Sequence, residues 1–178
     1  MQRVVVLGRG GAGKSTFARE LGNTTGLPVI ELDQHFWQPG LIPLQRERWR
    51  EIQQGLAKEQ RWIMDGDVGK YDELGVRLQA ADTVLVLDFS LLRCLVRALR
   101  RSKERMDFWW WLVTWRWIEH PKIRNAIAEH APGADVKTFG KPEELSIWLP
   151  AVLRAAPAKT RPAKPNDIQL AVRPQCSA

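Results

Sequence analysis

Short apolar runs, several rich in β-branched residues, alternate along this chain with stretches of helical periodicity. Val4 to Leu7 is a run of the kind that forms a strand buried on both faces. Val29 to Leu32, Trp62 to Met64, Thr83 to Leu87 and Val136 to Phe139 repeat the signal. Ser15 to Leu21 reads as a helix ending near Gly22, and Gly26-Leu27-Pro28 breaks the chain before the second strand. Pro39, Gly40 and Pro43 mark a loop. Pro43 is placed to open a helix in which Trp49, Ile52 and Leu56 recur among charged residues. Asp72 to Ala81 predicts a short helix. Ser90 can cap the next one, whose apolar stripe is Leu92, Leu95, Val96 and Leu99. The alternation predicts an α/β fold.

Further along, Phe108 to Ile118 holds five of the nine tryptophans in eleven residues. Phe108, Trp111, Leu112, Trp115 and Ile118 make one helical face, expected in the core or at a subunit contact. Trp109, Trp110 and Trp117 cannot all share it. They are open to a nucleotide pocket, a homodimer surface or a membrane interface. His120-Pro121 is expected to interrupt the helix, with a restart from Lys122 to Ala131 before Pro132-Gly133. A final helix opens at Lys141-Pro142-Glu143-Glu144 and runs through Leu149. Residues 151–178, rich in Ala, Pro and basic side chains, are expected to form a disordered tail beyond a domain of residues 1–150.

Composition changes this picture in few places. A chain of 178 residues with 44% apolar content suffices for one domain with a real core. The net charge of +7 is unevenly spread. Arg93 to Arg105 carries six basic residues against Glu104, and the tail five against Asp167. An anion site plus a solvated extension accounts for that distribution. Two cysteines, Cys94 and Cys176, imply neither a disulfide framework nor a metal cluster. The histidines, His35, His120 and His130, are too far apart for a recognisable ligand spacing. No run is long enough to span a bilayer, and Met1 leads directly into the first strand, so a cytoplasmic location is expected.

Chemistry enters with GRGGAGKS, Gly8 to Ser15, between the first strand and the first helix. Gly8, Gly10, Gly11 and Gly13 let successive N–H groups curl inward at a helix N-terminus whose dipole favours anions. Within the segment Gly8, Arg9, Gly10, Gly11, Ala12, Gly13, Lys14, Ser15 and Thr16, Lys14 would reach the β- and γ-phosphates and the Ser15 hydroxyl would hold Mg²⁺. Asp33 lies just past the second strand, at the sheet edge where open α/β folds bind ligands, and is a candidate to orient an acceptor. A turn or cap aspartate is the competing reading. Asp65 ends the third strand, where an aspartate beside a phosphate loop binds the metal; Asp67 is the second choice. Arg97 and Arg101, one helical turn apart, project two guanidinium forks suited to a polyphosphate or a purine face.

GRGGAGKST, LPVIELDQHFW, WIMDGD and TVLVLDF followed by the Arg-rich helix, in this order, resemble the adenylate kinase-like P-loop kinases. Within them the match is to the small bacterial group labelled DNA topology modulation proteins, over residues 2–150. The resemblance implies a P-loop NTPase three-layer sandwich with a five-stranded parallel sheet of order 2-3-1-4-5. It implies ATP as donor, Asp65 at the metal position, Arg97 stacked on the donor adenine and Arg101 on donor phosphates. Lys70 falls where relatives use an arginine for the acceptor phosphate, but GDVGK departs from the usual GFPR. No inserted lid domain follows Arg101. The expected activity is Mg²⁺-dependent phosphoryl transfer to a small molecule, a nucleoside monophosphate or a non-nucleotide alcohol, with Lys14, Asp33, Arg97 and Arg101 as catalytic residues. The alternative is an ATP-binding regulatory or nucleic-acid-associated protein with little turnover. Its support is the basic tail, which holds no aromatic residue for base stacking.

Overall fold

Val4 to Leu7 lie with no exposed surface in the middle of a five-stranded parallel sheet. The structure, a computed structural model, describes residues 1–40, 42–66, 73–101 and 106–155. Its elements in chain order are β1 (Arg3–Gly8), α1 (Lys14–Thr25), β2 (Val29–Glu31), α2 (Leu32–Phe36), β3 (Trp37–Gln38), β4 (Ile42–Pro43) and α3 (Arg46–Ala57). Then follow β5 (Trp62–Asp65), α4 (Leu74–Ala80), β6 (Thr83–Leu87), α5 (Leu91–Arg101), α6 (Met106–His130), β7 (Asp135–Phe139) and α7 (Pro142–Ala155). The sheet runs β2-β5-β1-β6-β7. Counting only its own strands, that is the expected 2-3-1-4-5.

Because side chains alternate along a strand, the central strands divide their residues between two cores. Val5, Leu7, Ile30, Met64, Val84 and Val86 pack with Trp49 of α3, Leu78 of α4 and Trp115 and Ile127 of α6. Val4, Val6, Ile63, Leu85 and Leu87 pack with Phe17 and Leu21 of α1, Cys94 and Ala98 of α5, Leu112 of α6 and Leu149 of α7. Helices on both faces of a parallel sheet make the three-layer arrangement. Helix α6 supplies residues to both cores. Trp115 is fully buried, so its truncation to Ala would cost about 3–5 kcal/mol.

Several elements depart from the sequence expectation. The loop around Pro39 contains a two-residue antiparallel hairpin, β3 with β4. Helix α1 does not stop at Gly22 but continues to Thr25, with Gly26 as its left-handed C-cap. Gly22 stays helical because Val29 packs against its missing side chain: a Cβ there would stand 2.5 Å from Val29 Cγ2. Pro121 does not break α6. Trp115, Ile123, Ile127 and Ala131 continue one buried stripe across the proline, and that burial outweighs the roughly 3 kcal/mol an interior proline costs. Pro150 likewise sits inside α7, which reaches Ala155, five residues past the expected boundary. The tail expectation for residues 156–178 lies outside the described residues.

The apolar stripe expected on α5 faces the wrong way. Leu92, Val96 and Leu99 are exposed, and the buried face is Cys94 and Ala98, flanked by half-buried Leu91 and Leu95. Small residues win that face because α5 runs against the Gly8–Ser15 loop so closely that a Cβ on Gly11 would collide with the Cys94 carbonyl. On α6 the expected face is buried at Leu112 and Trp115 and half-buried at Phe108 and Trp111, but Ile118 is exposed together with Trp110 and Trp117. No helix among the described residues is long and apolar enough to cross a membrane.

Candidate active site

The turn from β1 into α1 is shaped by its glycines. Gly8 takes φ 147°, and a Cβ there would stand 2.5 Å from the Leu87 carbonyl oxygen, so β1 and β6 leave room for glycine alone. Gly13 is the N-cap of α1 in the left-handed conformation, with no side-chain cap. The first turn carries no acidic residue of its own at the positive end of the helix dipole. The Lys14 ammonium folds over the loop, donating to the Gly8 carbonyl at 2.8 Å and the Arg9 carbonyl at 3.4 Å.

Asp65 ends β5 beside this turn, in register with Val6 of β1 and Glu31 of β2. It is 3% exposed, and its Oδ1 is buried with no hydrogen-bond partner. Burial pushes its pKa up, against the pull of the Lys14 ammonium and the Ser15 hydroxyl next to it. A desolvated carboxylate with an orphaned oxygen, one hydroxyl away from a phosphate-type loop, fits a hard divalent cation. Glu31 is engaged elsewhere: Arg19 Nε donates to its Oε1 at 2.7 Å, and that bond holds its carboxyl below the usual range.

Asp33 stands where the sequence placed it, past β2, as the second residue of the short α2. Gly66, immediately after Asp65, packs against the start of α2: a Cβ on Gly66 would lie 3.2 Å from Leu32 Cβ and 3.7 Å from the Asp33 nitrogen. Asp33 and the end of β5 therefore share one edge of the sheet. Arg97 is on the other side of the loop, where its Nη1 donates to the Ala12 carbonyl at 3.1 Å. It lines a cavity of about 450 Å³ with Gly13, Thr16, Phe89, Arg100 and Leu145. Neither Asp33 nor Asp65 is among the residues around that cavity. Arg101 is the last residue of α5, and its side chain, like Asp67 and Lys70, lies outside what is described.

Sequence reasoning missed two groups here and the orientation of a third. Arg100, not singled out on the Arg-rich helix, lines the cavity. Arg77 of α4 is fully buried, its Nη2 donating to the Gly66 carbonyl at 3.0 Å and its Nη1 to Gln53 Oε1 at 3.2 Å, so it pins the turn after Asp65. One basic residue in a short amphipathic helix carried no signal of that role. Arg9, expected among the nucleotide-binding residues of the loop, has its side chain buried at 2% exposure.

The fold recurs among solved structures, kinases included. A shikimate kinase from Acinetobacter baumannii in complex with shikimate superposes with a TM-score of 0.63 at 16% identity, over 87% of this chain and 94% of that one. The chain shares the α/β fold of that protein. The YorR protein from Bacillus subtilis, in complex with phosphorylated GDP, gives a TM-score of 0.57 at 16% identity, covering 85% of this chain and 94% of its own. A gluconokinase from Sinorhizobium meliloti 1021 gives 0.52 at 19% identity, covering 86% and 92%. No protein-family model and no curated protein matches the sequence.

Proposed function

We propose that this chain is an ATP- and Mg²⁺-dependent phosphotransferase acting on a small molecule. The observation that carries the reading is the pairing of an uncapped phosphate-type turn, with Lys14 over it, and the buried, orphaned Asp65 carboxylate beside Ser15. Lys14 exchanges its two loop carbonyls for phosphate oxygens, and the first N–H groups of α1 hold the rest of the polyphosphate. Ser15 and Asp65 would hold Mg²⁺, which when bound neutralises charge on the phosphates. The donor base occupies the cavity beside Arg97, and Arg101 serves the donor phosphates.

Asp33, on the opposite side of the loop, orients the acceptor. In this arrangement the protein supplies alignment and charge neutralisation, without a covalent intermediate. The acceptor is a nucleoside monophosphate or a non-nucleotide alcohol. The alcohol finds support in a structure of this fold that holds shikimate; another holds phosphorylated GDP, a nucleotide though not a monophosphate. The narrower likeness to the DNA topology modulation group rests on sequence motifs.

Incubating the protein with MgATP and a panel of nucleotides, sugars and hydroxy acids, and following phosphorylated products by mass spectrometry, tests the reading. Conversion of one acceptor supports it. ATP binding without transfer to any acceptor would favour the regulatory alternative. Every group invoked, the Leu145 side of the donor cavity included, precedes Ala155, so a chain ending there is expected to keep the full turnover rate. Any nucleic-acid affinity of the basic tail should vanish from that chain, measurable as lost retardation of a DNA fragment.

A further inference from the structure

An arginine next to a phosphate would be expected to face it, yet Arg9 turns inward. Its guanidinium carbon stands 5.3 Å from the centroid of the buried Trp115 ring on α6. Burial lowers its pKa, while Cys94 and Asp88 pull the other way. Asp88, just beyond β6, has one oxygen 3.8 Å from Arg116 and 3.9 Å from His120; the other is buried without a partner, as is Arg9 Nε. A desolvated guanidinium needs compensation, and here that comes from the π face of Trp115 and the field of Asp88.

The same helix presses on the next residue. A Cβ on Gly10 would stand 2.8 Å from ring atoms of both Phe108 and Trp111. Meanwhile the Arg9 carbonyl closes the turn, accepting from the Ala12 N–H at 3.2 Å and from Lys14 Nζ at 3.4 Å. One residue thus holds the turn with its main chain and α6 with its side chain.

We propose that Arg9 is a positioning residue that clamps the phosphate loop to the Trp-rich helix α6, so that nucleotide affinity depends on the Arg9–Trp115 contact. The inference rests on the nucleotide-binding reading above. It gives the Trp-rich segment a role at the site: Trp115 anchors the loop from within, and Phe108 and Trp111 shape it at Gly10.

Calorimetric titration of the full-length protein with MgATP reads the clamp without an acceptor or turnover. Arg9→Met and Trp115→Leu are each expected to bind about tenfold more weakly. Their double variant should bind no more weakly than the poorer single one, because both act through one contact. Trp115→Phe keeps a π face and should recover most of the affinity that Trp115→Leu loses, a rescue that packing volume alone would not produce. Gly10→Ala should also weaken binding, since its methyl group displaces Phe108 and Trp111. Melting curves report whether each variant folds, and if Trp115→Leu does not, Arg9→Met and Gly10→Ala carry the test. Wild-type affinity in Arg9→Met, or losses that add in the double variant, overturns the clamp alone. Wild-type protein that binds neither MgATP nor pyrophosphate overturns the kinase reading and the clamp together.

Discussion

Lys14→Ala is expected to slow ATP-dependent phosphoryl transfer by about a thousandfold while shifting Tm by no more than about 2–4 °C. Among the described residues the ammonium donates to two loop carbonyls, Gly8 at 2.8 Å and Arg9 at 3.4 Å, and both belong to a turn that the backbone already holds. Losing it removes little that the fold depends on. In the proposed reaction, by contrast, it would be the mobile point charge that follows the transferring oxygens, and a donor of that kind in a water-excluded site is worth about 3–4 kcal/mol. The rate is measurable on whichever acceptor the panel identifies, or as slow hydrolysis to water, with circular dichroism and melting curves confirming the fold. A variant that turns over at the wild-type rate would remove Lys14 from the chemistry.

Asp65→Asn is expected to separate stability from activity. Burial lifts the Asp65 pKa above its unfolded value. The stability that depends on this group is therefore complete below the unfolded pKa and declines as pH rises through the folded one, where a desolvated negative charge must form. Asparagine removes that charge and keeps the shape, so Tm at neutral pH should rise by about 2–4 °C. Activity runs the opposite way. In the proposed site the metal needs the carboxylate, so at low Mg²⁺ wild-type turnover should fall as pH drops and the carboxyl protonates, and the Asn variant should lose about 10²–10³ in kcat at neutral pH. Rate profiles across the acid-to-neutral range at several Mg²⁺ concentrations, beside melts at the same pH values, check both arms. If the variant is less stable than wild type and keeps its Mg²⁺ response, Asp65 is a structural turn residue and the metal sits elsewhere.

Much of the site was legible before any fold was known, because its chemistry is local in the chain. Glycine spacing from Gly8 to Gly13, with Lys14 and Ser15 behind it, prescribes the turn from short-range sterics. Asp33 and Asp65 were readable for a related reason: each follows a short apolar run, and the ends of parallel strands converge on one edge. Which face a helix buries was less legible. Periodicity chose Leu92, Leu95, Val96 and Leu99 on α5 by hydrophobicity, but of these only Leu95 packs against the core; the buried residues are the small Cys94 and Ala98, and at Cys94 the loop backbone lies close. Pro121 read as a break for the same kind of reason. A local cost of about 3 kcal/mol is visible in sequence, whereas the continuous burial from Trp115 to Ala131 that offsets it is not.

By itself, then, the sequence determined the α/β alternation, the order of elements, the phosphate-type turn and the acidic residues at the strand ends, since each follows from nearest-neighbour propensities and period. Only the tertiary structure decided that Arg9 points inward to Trp115, that Arg77 reaches from α4 to the carbonyl after Asp65, and that the Trp-rich helix leans on Gly10. Those contacts join residues far apart in the chain. Their partners are set by packing and by the desolvation of charge, which have no signature at the level of spacing.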